Sequence, residues 1–223
     1  MKKMCNSILC LFALLLTAPM LHAQDLSKYR TFSLGTSLVD VLKRTDQRLT
    51  DVRTIHGGPS LFQELTWWPN PPGSSLRPDA VEQILFSFFN GELYKMSVTY
   101  DRNSTKGLTA PDMMKAISEK YGPPTSVVLE IDSATSEGYG LMGKGVASWE
   151  DSQYSLNLVQ SSFIDTFGLV IYSKRVNAEA ELAIVEAVKL EEQEGPKREA
   201  ARQKKETDEL EVTRQKNRKV FQP

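Results

Sequence analysis

The chain has 223 residues, with 27 Lys and Arg against 28 Asp and Glu and a formal net charge of −1. Nucleic acids and anionic membranes bind basic surfaces, and this balance supplies none. Cys5, Cys10 and His22 all lie in the first stretch of the chain, so thiol and imidazole chemistry is scarce beyond it.

That first stretch reads MKKMCNSILCLFALLLTAPMLHAQD, with Lys2 and Lys3 ahead of an apolar run from Ile8 to Leu16, then Pro19 and Ala23. This is the layout of a secretory signal peptide over residues 1–23, with cleavage expected between Ala23 and Gln24. The run is too short for a bilayer core of about 30 Å, which takes roughly 20 apolar residues. No later segment is long and apolar enough to span a membrane. The expected product carries 25 basic and 28 acidic residues, no cysteine, and His56 alone. Disulfides, thiolate catalysis and cysteine-ligated zinc are therefore excluded, and a zinc site would need carboxylates for its remaining ligands. The expected address is the periplasm or the extracellular space, with no cofactor and no metal.

The predicted elements begin with a helix. Ser37 and Asp40 form the Ser/Thr-x-x-acid pattern that satisfies free amides at a helix start, and Leu38, Val41 and Leu42 give that helix an apolar face. Strands are predicted over Glu64 to Trp68, Gln83 to Phe89 and Glu92 to Tyr100. Asn90-Gly91 between the last two is a strong hairpin signal. Tyr94, Met96, Val98 and Tyr100 alternate with Lys95, Ser97 and Thr99, which predicts one dry and one wet face.

A second helix opens at Thr109 with Asp112, carries Met113, Ile117 and Tyr121 on one face, and ends at Gly122-Pro123-Pro124. Strands follow over Val146 to Trp149, around Tyr154, Leu156 and Leu158, and over Gly168 to Ser173. Residues 35–43 align without gaps to residues 107–115 at an offset of 72, matching Gly35 to Gly107, Asp40 to Asp112 and Lys43 to Lys115. The order is helix then three strands, twice: a duplicated α+β domain over residues 24–176 with antiparallel strands.

From Asn177 to Pro223, 21 of 47 residues are charged and Phe221 is the sole aromatic, a composition that cannot bury a core of its own. Its richness in Ala, Glu, Lys, Gln and Arg still favours helix. Ala180, Ala183, Ile184, Ala187 and Val188 recur at helical spacing, giving a narrow stripe that could dock on the preceding domain or on a partner. Gly195-Pro196 is expected to break or kink the helix, and the segment beyond it to be solvated helix or disordered.

Phe32-x-Leu34-Gly35-Thr36-Ser37-x-x-Asp40-Val41, a later tryptophan-bearing strand, and the hairpin LFSFFNGELYKMSVTY resemble the helix-plus-meander units of the small outer-membrane assembly lipoproteins of the SmpA/OmlA type. The tandem arrangement over roughly residues 30–175 is similar to the β-lactamase-inhibitor-protein-like fold. The resemblance implies protein binding in the cell envelope, with another envelope protein as partner. The chain departs from the lipoproteins in lacking a cysteine at the lipid-anchor position.

Two glycine motifs invite a nucleotide reading. In GYGLMGKG (residues 138–145), Gly138, Gly140 and Gly143 have dinucleotide-fingerprint spacing, and Gly138, Gly143 and Lys144 have most of a Walker A loop. That loop needs a Ser or Thr after the Lys and a helix beyond it; here Gly145 follows, then the strand pattern of Val146 to Trp149. A glycine-rich loop between elements is the expectation. His56-Gly57-Gly58 superficially matches an esterase oxyanion loop, but no Gly-x-Ser-x-Gly elbow accompanies it, and a turn closed by Pro59 is expected. The carboxylate pairs Glu130 with Asp132 and Glu150 with Asp151 show no pocket pattern of their own, though a hydrolase would need two such groups roughly 5–9 Å apart.

Trp67-Trp68-Pro69-Asn70 is the more informative stretch. Neighbouring strand residues point to opposite faces, so one tryptophan should enter the core and the other should meet solvent or a partner. Trp67 and Trp68 are accordingly the possible contact anchors. The leading expectation is an exported, non-enzymatic binding or scaffold protein of a bacterial envelope. The alternatives are an envelope hydrolase working through carboxylates, and a structural protein self-assembling through its tail.

Overall fold

The computed structural model describes residues 25–57, 61–70, 79–127, 143–161 and 166–220. The leader with its Ala23–Gln24 junction, the Glu130 and Asp132 pair, residues 138–142 of the glycine stretch and Pro59 lie outside the described residues.

A short antiparallel hairpin, β1 (Lys28–Tyr29) and β2 (Phe32–Ser33), leads into α1 (Leu38–Thr45), β3 (Arg53–Gly57), β4 (Leu61–Trp67), β5 (Val81–Phe89) and β6 (Glu92–Tyr100). The second set is α2 (Ala110–Tyr121), β7 (Ser126–Val127), β8 (Gly143–Glu150), β9 (Tyr154–Ser161) and β10 (Phe167–Ser173), followed by α3 (Lys174–Val220). Strands β3 to β10 make one sheet in the order β3-β4-β5-β6-β10-β9-β8-β7. All its pairings are antiparallel, and the last strands of the two sets, β6 and β10, meet at its centre. The fold is α+β, as expected.

The β1–β2 hairpin is an addition to the expected elements, and in the eight-stranded sheet each set carries its three expected strands and one more, β3 or β7, at the edge. An edge strand is held by hydrogen bonds to one neighbour and needs no alternating apolar face, so it leaves little hydropathy signal. His56 and Gly57 fall in β3, where a turn was expected to begin. Gly143, Lys144 and Gly145 open β8 and pair with β9, so a strand follows Lys144 where a phosphate loop requires a helix.

The helix starts follow the capping logic. Ser37 Oγ accepts from the Asp40 amide at 3.2 Å, while Thr109 and Asp112 form a full capping box. The Asn90-Gly91 turn has positive φ at both residues, 52° and 82°, which matches the right-handed twist of the strands it joins. Gly35 N–H donates to Leu93 O at 2.8 Å and Leu93 N–H to Thr36 O at 2.9 Å, tying the entry of α1 to this hairpin.

One sheet face forms the main core. Leu65, Ile84, Phe86, Met96, Leu156, Leu158 and Ile171 are fully buried beneath Val41 and Leu42 of α1 and Met113 and Ile117 of α2. Trp149 belongs to the same layer, and its Nε1–H donates to Gly122 O at 2.8 Å.

The opposite face departs from the wet face expected of β6. The register shifts between Ser87 and Phe88, so Tyr94 and Lys95 together oppose Ser87 and Tyr94 no longer shares the face of Met96. Tyr94 joins Phe62, Val176 and Ala180 in a second apolar cluster, to which Phe89, Ala183 and Ile184 add partly buried area. Ser97 and Thr99 are buried as well.

Helix α3 starts directly after β10 and docks its first turns on this second cluster. Ala180 and Ala187 are buried and Ala183 and Ile184 half-buried, whereas Val188 is 41 % exposed. The helix continues through Gly195 and Pro196 to Val220, so of the expected break or kink the break does not occur. In a helix interior Gly costs about 1 kcal/mol and Pro about 3 kcal/mol relative to Ala. Four ion pairs, Arg202 with Glu199 and Glu206, Lys205 with Glu209, and Arg214 with Glu211, flank the site on its C-terminal side. Exposed pairs of this type contribute about 0.2–0.5 kcal/mol each. Among the described residues no helix is long and apolar enough to cross a membrane.

Candidate functional site

The paired tryptophans separate as the strand period requires. Trp67 turns to the main core, where its ring meets Phe32 edge-on at 5.5 Å between centroids. Trp68, one residue past the end of β4, is 46 % exposed. By the same alternation Trp68 shares its sheet face with Glu64 and Thr66.

Those residues border a cleft of about 530 Å³ at the β3 and β4 edge, lined by Gln47, Asp51, Arg53, Glu64, Thr66, Trp68 and Leu85. Local structure explains each wall. The left-handed Asp46 (φ 53°) caps α1, and Gln47 N–H donates back to Leu42 O at 3.1 Å, which turns the chain toward the sheet. A single 3₁₀ turn, Leu49–Asp51, follows, with Asp51 accepting from the Arg48 amide at 2.9 Å. Arg53 and Glu64 are cross-strand partners joined at 2.7 Å, the arginine mostly exposed and the glutamate three-quarters covered.

Gln47 closes one wall of the cleft. Its Nε2–H donates to Thr66 O at 2.9 Å, which fixes the side chain against β4, and its Oε1 is buried. The cleft thus presents an aromatic plate and one cross-strand ion pair. Among the described residues of its lining, Thr66 carries the one hydroxyl and none carries a thiol or an amine.

The remaining sequence candidates sit elsewhere. Glu150 is bound by Lys174 at 2.8 Å and accepts from Ser155 Oγ at 3.2 Å, while Asp151 takes the amides of Gln153 and Tyr154 in a turn. Both carboxylates are occupied by structure. Among the described residues no group of three or more His, Cys, Asp or Glu could hold a metal ion.

Two clusters escaped the sequence reading. Near the β1–β2 hairpin, Arg30 grips Asp79 bidentately at 2.5 and 2.6 Å and lies over the Tyr29 ring at 5.6 Å. Lys120 approaches the rings of Tyr29 and Tyr121, and Tyr121 Oη donates to Lys28 O at 2.8 Å. Burial pushes the Tyr29, Tyr100 and Tyr121 hydroxyls above the ordinary phenol value. They keep their protons at neutral pH and tie the N-terminal hairpin to the sheet. Beneath α3, burial pushes Tyr94 up to about 12, with the Glu64 and Glu181 carboxylates adding to the effect. Burial lowers the neighbouring Lys95, which the same two carboxylates partly restore. The partners in both clusters are far apart in sequence, so no local pattern signals them.

No family model matches this chain, and comparison with curated proteins and with solved structures finds no match either.

Proposed function

We propose that this chain is an exported, non-enzymatic protein-binding or scaffold protein of a bacterial cell envelope, and that the Trp68 cleft is its contact surface. The observation that carries the reading is a half-exposed Trp68 set beside the Arg53 and Glu64 pair in one cleft. Large aromatics beside fixed polar groups are typical anchors of protein contacts, because a partner that covers the ring also meets the charged rim. The basic, apolar and small-residue sequence of the first 23 residues supports export. The likeness to the SmpA/OmlA-type units and to the β-lactamase-inhibitor-protein-like fold is part of the same proposal, supported by the shared helix-start motif and the tandem arrangement.

A photoreactive residue placed at Arg53, which lines the cleft with Trp68, in the native host, with a second placed at exposed Leu108 as control, tests the contact surface. A partner captured from position 53 and not from position 108 is the expected result. Equal capture from both, or from neither, overturns the reading. Mass spectrometry of the native product tests export: a chain beginning at or within a few residues of Gln24 is expected, and an intact N-terminus on a cytosolic chain refutes it.

A further inference from the structure

Helix α3 carries a second apolar stripe that its docking does not use. At 3.6 residues per turn, Val176, Ala180, Ala183 and Ala187 point to the sheet, and Leu182, Val185 and Val188 point to the opposite side. These three are 70, 51 and 41 % exposed. Leu210 falls on the same line, within an arc of about 120° that also takes in Pro196, Ala200, Gln203 and Thr207. Beyond Ala187 none of the described side chains of α3 is buried, yet the helix continues to Val220. A helix that is polar nearly all round is held by i,i+4 pairs or bridges between folded parts, and a second helix laid along its one exposed apolar line would add buried area to it.

The charges of the tail are segregated. Residues 177–194 contain six Glu and one Lys, and residues 195–223 contain nine Lys or Arg against five Asp or Glu. Two parallel copies would set like charge against like. Two antiparallel copies crossing near residue 198 set the acidic half of each against the basic half of the other, and bring Val185 and Val188 of one to Leu210 of its partner. The crossing falls beside Gly195, where the absent side chain permits close approach.

We propose that the tails of two copies of this chain pair antiparallel through the outward stripe of α3, making the protein a dimer whose sheet clefts stay free. The inference is independent of what the Trp68 cleft binds.

Sedimentation velocity of the full chain at about 50 mM and about 500 mM salt should give a dimer that weakens as charge is screened. Leu210→Glu should raise the dimer dissociation constant at least about tenfold, the consequence of placing a charge at an apolar contact. Leu210 is exposed in the single chain, so this variant retains the sheet domain, as near-UV circular dichroism will register. Strand polarity is read by disulfide trapping in a Cys5→Ser, Cys10→Ser chain. Val185→Cys mixed with Leu210→Cys should cross-link as a mixed pair. A monomer at tens of micromolar, an unchanged dissociation constant in Leu210→Glu, or trapping of Val185→Cys chiefly with itself overturns the proposal.

Discussion

Gly35 and Gly107 stand 72 positions apart and hold nearly the same left-handed backbone, φ 85° and 83°, each two residues ahead of the hydroxyl that caps a helix. The match is conformational as well as chemical, since Ser37 and Thr109 both take the amide three residues on. A residue with a Cβ is strained at such φ values. Gly107→Ala, with open space around the added carbon, should therefore lose about 1 kcal/mol from backbone strain alone. Gly35→Ala should lose at least as much, and urea midpoints at neutral pH will compare the two.

The Arg30 and Asp79 pair predicts acid sensitivity. The hydrogen bonds from Arg30 hold the Asp79 carboxyl below its ordinary value of 3.8, opposed by burial and aided by the Val81 amide. A carboxylate whose folded pKa is depressed contributes stability above its unfolded value and loses it as pH falls through the folded one. Asp79→Asn should accordingly cost about 1 kcal/mol at pH 7 after allowance for solvent screening, and the gap to the parent should shrink as pH falls below the ordinary 3.8. Thermal unfolding followed from pH 7 to pH 2.5 checks both the cost and its disappearance.

Trp67 and Trp68 should respond oppositely to truncation. Trp67→Ala removes a ring packed on Phe32 and should destabilise by about 2 kcal/mol or more. Trp68→Ala should change stability by less than about 0.5 kcal/mol while abolishing capture of the partner. Paired denaturation curves and host crosslinking measure the two effects; a destabilising Trp68→Ala would assign that ring to packing.

Ala180 belongs to the second cluster with Phe62 and Tyr94 and is nearly inaccessible. Ala180→Glu should release α3 from the sheet, because an unpaired buried carboxylate costs several kcal/mol. Hydrogen exchange should then rise from Lys174 to about Ala187 while the main core keeps its protection. By contrast, Pro196→Ala should raise helical circular dichroism and slow exchange around residue 196, since it restores an amide donor and removes a ring clash.

Much of this architecture is written locally. Capping hydroxyls, the Asn90-Gly91 turn and the apolar periods depend on neighbours within a few positions, so the residues themselves specify both helix starts, the central hairpin and six strands. Edge strands β3 and β7 escaped because their stability comes from a neighbour's hydrogen bonds. The uninterrupted helix through Pro196 escaped because its local propensity points the other way.

The sequence by itself determined that one tryptophan of the pair would be buried and its neighbour not, that two capped helices would each precede a run of strands, and that the C-terminal segment would carry its charge on a helix. Only the tertiary structure decided that Trp67 goes inward, that Tyr94 leaves the face of Met96, and that Gln47, Arg53, Glu64 and Trp68 border one cleft. The reason is physical. Strand alternation fixes relative facing, but which side becomes the interior depends on where α1, α2 and α3 pack, and that is set by contacts between residues distant in the chain.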